Sequence, residues 1–144
     1  MRNPCSGEAP RHVRPRALVV DDQEMIRVLA ARVLADGGWA VDTAAGIAEA
    51  LALRPLEFDA IIIDTRLGPE RGTELFALLR AQDPLVSQRC LVLTGAVADP
   101  TPDEVAVLLK PFRADDLLDA VNRLAGHRPA ENGPWDGVRP GRAG

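Results

Sequence analysis

The chain has 144 residues, 47% hydrophobic and 26% charged, with a formal net charge of −4; this predicts one globular domain that buries a core without disulfides or a structural metal. An acidic balance argues against a nucleic-acid binder, which presents a basic face, and two cysteines, Cys5 and Cys90, give neither a disulfide framework nor metal-ligand spacing. No apolar stretch approaches the roughly 18 residues of a membrane span, and the first apolar run, Ala17 to Val20, is too short for a signal segment, so a cytoplasmic protein with no membrane partner is expected.

Residues 1–15, with Pro4, Pro10, Pro15 and no apolar period, are expected to be a disordered lead-in, and Arg11, Arg14 and Arg16 to be solvated. Ala17 to Val20 reads as a strand. Ile26, Leu29, Ala30, Val33 and Leu34 recur at helical spacing until Asp36-Gly37-Gly38 stops them. Trp39 to Val41 predicts a second strand, and Ile47, Ala48, Leu51 and Leu53 a short helix ended before Pro55. Ala60 to Ile63 is a β-branched strand. Leu75, Phe76, Leu78 and Leu79 mark a helix that stops near Asp83-Pro84; Cys90 to Leu93 and Val105 to Leu109 follow as strands. Leu117, Leu118, Val121 and Leu124 give a last helix, closed by Gly126. Residues 127–144, rich in Pro and Gly, are expected to be a disordered tail in which Trp135 is solvated. With aromatics at 3% and no Tyr, the core must be aliphatic, with Cys90 inside it and Cys5 exposed. Wholly apolar strands alternating with helices predict a doubly wound parallel sheet of five strands, buried on both faces.

Four of the five strands end in a polar or charged residue. Asp21 and Asp22 follow Val20, Asp64 follows Ile63, Thr94 and Gly95 follow Leu93, and Lys110 and Pro111 follow Leu109. An open parallel sheet binds its ligands at that carboxyl edge. Three carboxylates gathered there repel one another, and a divalent cation with oxygen ligands, Mg²⁺ above all, resolves the repulsion. Lys110 suits a phosphate oxygen, Thr94 a hydrogen bond to a second one, and one carboxylate is then free to attack phosphorus. Singly, Asp21-Asp22 also suits a helix N-cap, Asp64 a loop start, Thr94-Gly95 a turn and Lys110 a solvated strand end. Their order at successive strand ends favours the joint reading.

Leu18-Val-Val-Asp-Asp22, Ile61-Ile-Ile-Asp-Thr-Arg-Leu-Gly68 with Gly72 following, Leu91-Val-Leu-Thr-Gly95 and Leu109-Lys-Pro-Phe112 together resemble the receiver domain of bacterial two-component response regulators, over about residues 16–126. The resemblance implies a flavodoxin-like α/β fold with strand order 2-1-3-4-5. It implies that Asp64 takes a phosphoryl group from a sensor histidine kinase or a histidine phosphotransfer protein. Asp21, Asp22, Asp64 and the main-chain carbonyl of Arg66 would hold Mg²⁺. Thr94 and Lys110 would contact the phosphoryl oxygens, and Lys110-Pro111 would be a cis bond. Arg66 and Ala96 would flank the attacking water.

Three positions depart from the family pattern. Val107 stands where an aromatic switch residue is usual, and Gly68-Pro69 replaces the usual Pro four residues after the phosphoacceptor. Only Gly95 to Glu104 separate Thr94 from Val105, with Pro100 and Pro102 among them, so the fourth helix is expected to be short or missing, with one turn at Thr101 to Glu104. Output through another surface, the first helix or a tail, is expected. The leading reading is a stand-alone phosphorylation-dependent switch, a phosphoacceptor rather than an enzyme, acting through an unknown output protein or a phosphorelay. Two alternatives stand beside it. An Asp-nucleophile phosphatase would need a second acid where Arg66 stands, and a pseudo-receiver would keep the fold without taking phosphate.

Overall fold

Three aliphatic runs set the frame: β1 (Arg16–Val20), β3 (Ala60–Asp64) and β6 (Cys90–Thr94), all but fully buried. The computed structural model describes residues 14–95 and 101–125; the expectations for residues 1–13, Cys5, Ala96, Gly126, Trp135 and the C-terminal tail fall outside them, whereas the carbonyl of Pro15, expected in the disordered lead-in, accepts the Ala40 N–H at 2.8 Å. With β2 (Ala40–Ala44) and β7 (Ala106–Leu109) these strands form a parallel sheet in the order β2-β1-β3-β6-β7. This is the flavodoxin-like order 2-1-3-4-5 once a small two-stranded hairpin, β4 (Arg66–Leu67) and β5 (Glu70–Arg71), is set aside.

Because side chains alternate along a strand, each buried strand feeds two cores. Leu18, Val20, Ile61, Ile63, Cys90 and Val92 pack with Ala50 of α2 (Ile47–Ala52) and Leu75, Phe76 and Leu79 of α3 (Gly72–Gln82). Ala17, Val19, Ala60, Ile62, Leu91 and Leu93 pack with Ala30 and Leu34 of α1 (Glu24–Asp36) and Leu117, Val121 and Leu124 of α4 (Ala114–Ala125). Among the described residues no helix is long and apolar enough to cross a membrane.

The edges depart from the expected burial on both faces. Val107 and Leu109 are 43% and 46% exposed, because the described residues between β6 and β7 hold no helix to cover them. The helical turn expected at Thr101 to Glu104 is an isolated turn, closed by the Val105 N–H on the Pro102 carbonyl at 3.4 Å. An ion pair from Glu104 to Arg80 ties this turn to α3. Strand β7 accordingly begins at Ala106 rather than Val105.

Strand β2 also begins one residue later than expected. Gly38, at φ 101°, turns the chain after α1 and sends Trp39 into the core, where its indole N–H donates to Asn122 Oδ1 at 3.0 Å. The 3₁₀ turns Pro55–Glu57 and Pro84–Arg89 were not expected from periodicity. Arg89 secures both, donating to the Leu56 and Phe58 carbonyls and to Asp83.

Cys90 lies in the core as expected, and burial pushes its thiol up to about 12. The folded value lies above the unfolded one of about 8.5, so Cys90 lowers stability as pH rises from there toward 12. In a Cys5→Ser variant, a thiol reagent at mildly alkaline pH is expected to read no thiol in the folded chain and one after denaturation. Prompt labelling of the folded chain would contradict the core placement.

Candidate functional site

Strand register assembles the site. Val20 lies opposite Ile63 and Ile63 opposite Val92, so the next residues, Asp21 and Asp64, leave adjacent strands at one height. Thr94 lies opposite Leu109, and the Lys110 N–H donates to the Thr94 carbonyl at 2.8 Å. Lys110 thus enters the same edge one step later, through a cis Lys110–Pro111 bond. Asp21, Asp64 and Thr94 are buried, whereas Asp22 is exposed.

Asp21, Asp22 and Asp64 each offer a carboxylate oxygen, and these atoms lie within 4.8 Å of one another. Lys110 Nζ donates to Asp64 Oδ2 at 2.8 Å and to Asp21 Oδ2 at 3.2 Å. Burial is the main force lifting the Asp21 carboxyl above its ordinary value; the Gln23 N–H pulls it down, the Asp64 charge lifts it again, and Lys110 opposes that. For Lys110, burial works against the ammonium, but Asp64 and then Asp21 outweigh it and hold the group above its ordinary value. Lys110 is therefore a cation at every physiological pH.

The alternative reading of Asp21-Asp22 as a helix N-cap is corrected. Gln23 is the N-cap of α1 and makes no side-chain cap bond. Asp21 Oδ1 instead accepts the Gln23 N–H at 2.9 Å, a local side-chain turn. Arg27 Nη1 donates to the Asp21 carbonyl at 2.7 Å. Nothing in the sequence marked Arg27, because this bond depends on how α1 leaves the strand.

After Asp64 the chain makes the β4–β5 hairpin against the carboxylates. The Arg66 N–H donates to Asp64 Oδ1 at 3.2 Å, and its side chain is exposed. Gly68, at φ 64°, donates its N–H to Asp22 Oδ2 at 2.9 Å. Only glycine takes that φ without strain, which accounts for Gly68 where the family pattern has Pro. The Gly72 N–H closes the loop on the Thr65 carbonyl at 2.9 Å. Val107 is exposed on the edge strand β7, opposite Val92 of β6.

All five side chains expected at the pocket thus stand at one carboxyl edge. The donor set is oxygen-only, with one ligand open to water, which fits a hard cation that keeps part of its hydration shell. Asp21, Asp22 and Asp64 would hold it.

Known proteins bear on this geometry. The family model for the response regulator receiver domain matches residues 17–122. The chain is 38% identical over 111 residues to a response regulator receiver protein of Anaeromyxobacter sp., covering 72% of this chain and 46% of the relative. It is 34% identical over 124 residues to the transcriptional regulatory protein TcrA of Mycobacterium tuberculosis, covering 83% of this chain and 49% of that protein. The chain therefore spans about half the length of these curated relatives. Among solved structures it is similar to the chemotaxis response regulator CheY4 of Vibrio cholerae, with a TM-score of 0.68 and 30% identity, covering 78% of this chain and 99% of that one.

Proposed function

The chain belongs to the response regulator receiver domain family, and we propose that it is a phosphorylation-dependent signalling switch whose phosphoacceptor is Asp64. The observation that carries this reading is the position of Asp64: buried at a strand end, within carboxylate-cluster distance of Asp21 and Asp22, with Lys110 Nζ on its Oδ2. Asp64 is held at both carboxylate oxygens, by Lys110 and by the Arg66 N–H, as Asp21 is by Lys110 and the Gln23 N–H; Asp64 is the one that ends the central strand of the sheet.

In the proposed step an Asp64 oxygen attacks phosphorus, the bond from phosphorus to the donor nitrogen of a phosphohistidine breaks, and the imidazole leaves with that electron pair and takes a proton. Mg²⁺, when bound, neutralises charge on the transferring oxygens. Lys110 gives up part of its contact with Asp64 to hold one of those oxygens, and Thr94 donates to another. The protein's work is positioning and charge compensation. The donor would be a sensor histidine kinase or a histidine phosphotransfer protein, in the cytoplasm, and the output a protein contact or phosphorelay.

Incubation with acetyl phosphate and Mg²⁺ is expected to add one phosphoryl mass to the intact chain. Asp64→Asn, which lacks the carboxylate nucleophile, should abolish the adduct, and chelation should remove it. An adduct that persists in Asp64→Asn would overturn the assignment. The bare face of β7 and Val107 favour a second reading, an interaction module that never takes phosphate. Partner binding unchanged in Asp64→Asn, with no adduct in the wild type, would select it.

A further inference from the structure

The β4–β5 hairpin is held at its far strand as well as against the carboxylates. Glu70 Oε1 accepts the Ile47 N–H at the start of α2, at 3.2 Å and 23 residues away in sequence. The N-cap of α2 is Gly46, which makes no side-chain cap bond. Glu70 therefore caps α2 from across the fold. A Cβ on Gly46 would stand 3.2 Å from that same Oε1, so glycine leaves the carboxylate its place.

The path from Glu70 to the pocket is short. Glu70 pairs with Leu67 across the hairpin, and the turn between them is Gly68-Pro69. Pro69 has a fixed φ and Gly68 is tied to Asp22 through its N–H, so Glu70 and the pocket-facing N–H groups belong to one short hairpin. At the turn, the Gly68 N–H holds Asp22 Oδ2; one strand earlier, the Arg66 N–H holds Asp64 Oδ1.

We infer that Glu70 is a positioning residue for the pocket: by capping α2 it fixes the hairpin whose N–H groups orient Asp22 and Asp64. This role rests on the phosphoacceptor reading above and deepens it.

The test is Mg²⁺ titration of the full chain by calorimetry, with amide exchange at Ile47 read by NMR, for wild type, Glu70→Ala, Glu70→Gln and Gly46→Ala. Glu70→Ala is expected to weaken Mg²⁺ binding about tenfold and to speed Ile47 exchange. Glu70→Gln keeps an acceptor oxygen and is expected to stay within about twofold of wild type. Gly46→Ala displaces the carboxylate while leaving Glu70 in the sequence. Its backbone, at φ −163°, accepts alanine, so the displaced carboxylate should weaken Mg²⁺ binding and speed Ile47 exchange together, as in Glu70→Ala; wild-type Mg²⁺ affinity with fast Ile47 exchange would overturn the role. Wild-type affinity in Glu70→Ala, or Glu70→Gln as weak as Glu70→Ala, overturns this role alone. A wild-type chain that binds no Mg²⁺ overturns the phosphoacceptor reading and this role with it.

Discussion

Gly72→Ala is expected to destabilise the protein by about 3 kcal/mol or more. An added Cβ would stand 1.9 Å from the Asp64 carbonyl oxygen, 2.9 Å from its carbonyl carbon and 2.7 Å from Ile63 Cγ2. The first two are backbone atoms of the central strand and cannot rotate away. Strand β3 and the first turn of α3 would have to part, breaking the Gly72 to Thr65 bond at 2.9 Å. Alanine's better helix propensity returns at most about 1 kcal/mol. Gly38 supplies the contrast: at φ 101° nothing lies within 4 Å of its added Cβ, so Gly38→Ala costs backbone strain alone, about 1 to 2 kcal/mol. Urea denaturation followed by circular dichroism checks both. A Gly72→Ala midpoint equal to wild type would mean that the close approach of α3 to Asp64 is wrong.

Lys110→Met is expected to cost about 2 to 3 kcal/mol near neutral pH without Mg²⁺, a figure below that for a fully buried pair because the exposed Asp22 side of the site admits water. Lys110 touches both Asp21 and Asp64, with its side chain 19% exposed and theirs 0% and 7%. Without the ammonium, two buried carboxylates face each other. Asp21 already lies above its ordinary value through burial, and removal of Lys110 raises it further. A carboxyl whose folded value is raised stabilises the fold most below its unfolded value and loses that contribution as pH climbs through the folded one. The deficit of Lys110→Met should therefore shrink as pH falls from neutral toward about 5, and shrink again when Mg²⁺ is added near neutrality. Thermal melts in those conditions decide it; a deficit independent of both pH and Mg²⁺ would show that Lys110 acts by packing rather than charge.

The strand ends were legible because a parallel sheet exposes whatever follows each apolar run, so Asp21, Asp64, Thr94 and Lys110 could be placed at one edge from order alone. Helices with a clear apolar stripe, α1, α3 and α4, were legible for the same kind of reason. The edge strands were not: Val107 and Leu109 read as core residues, and only the lack of a covering helix among the described residues leaves them half exposed. Gly72 stood in the motif without its reason, which is space beside Asp64 and not backbone freedom. Arg27 and Glu70 were silent, because each acts through a backbone group, Asp21 C=O and Ile47 N–H, that no side-chain pattern marks.

The most direct test of the central claim locates the phosphoryl group. Borohydride reduces an aspartyl phosphate to homoserine, and peptide mass spectrometry then reports the position. After acetyl phosphate and Mg²⁺, homoserine is expected at position 64, with Asp21 and Asp22 unchanged. Homoserine at 21 or 22, or none in a chain that has gained the phosphoryl mass, would contradict the assignment of Asp64 as the acceptor.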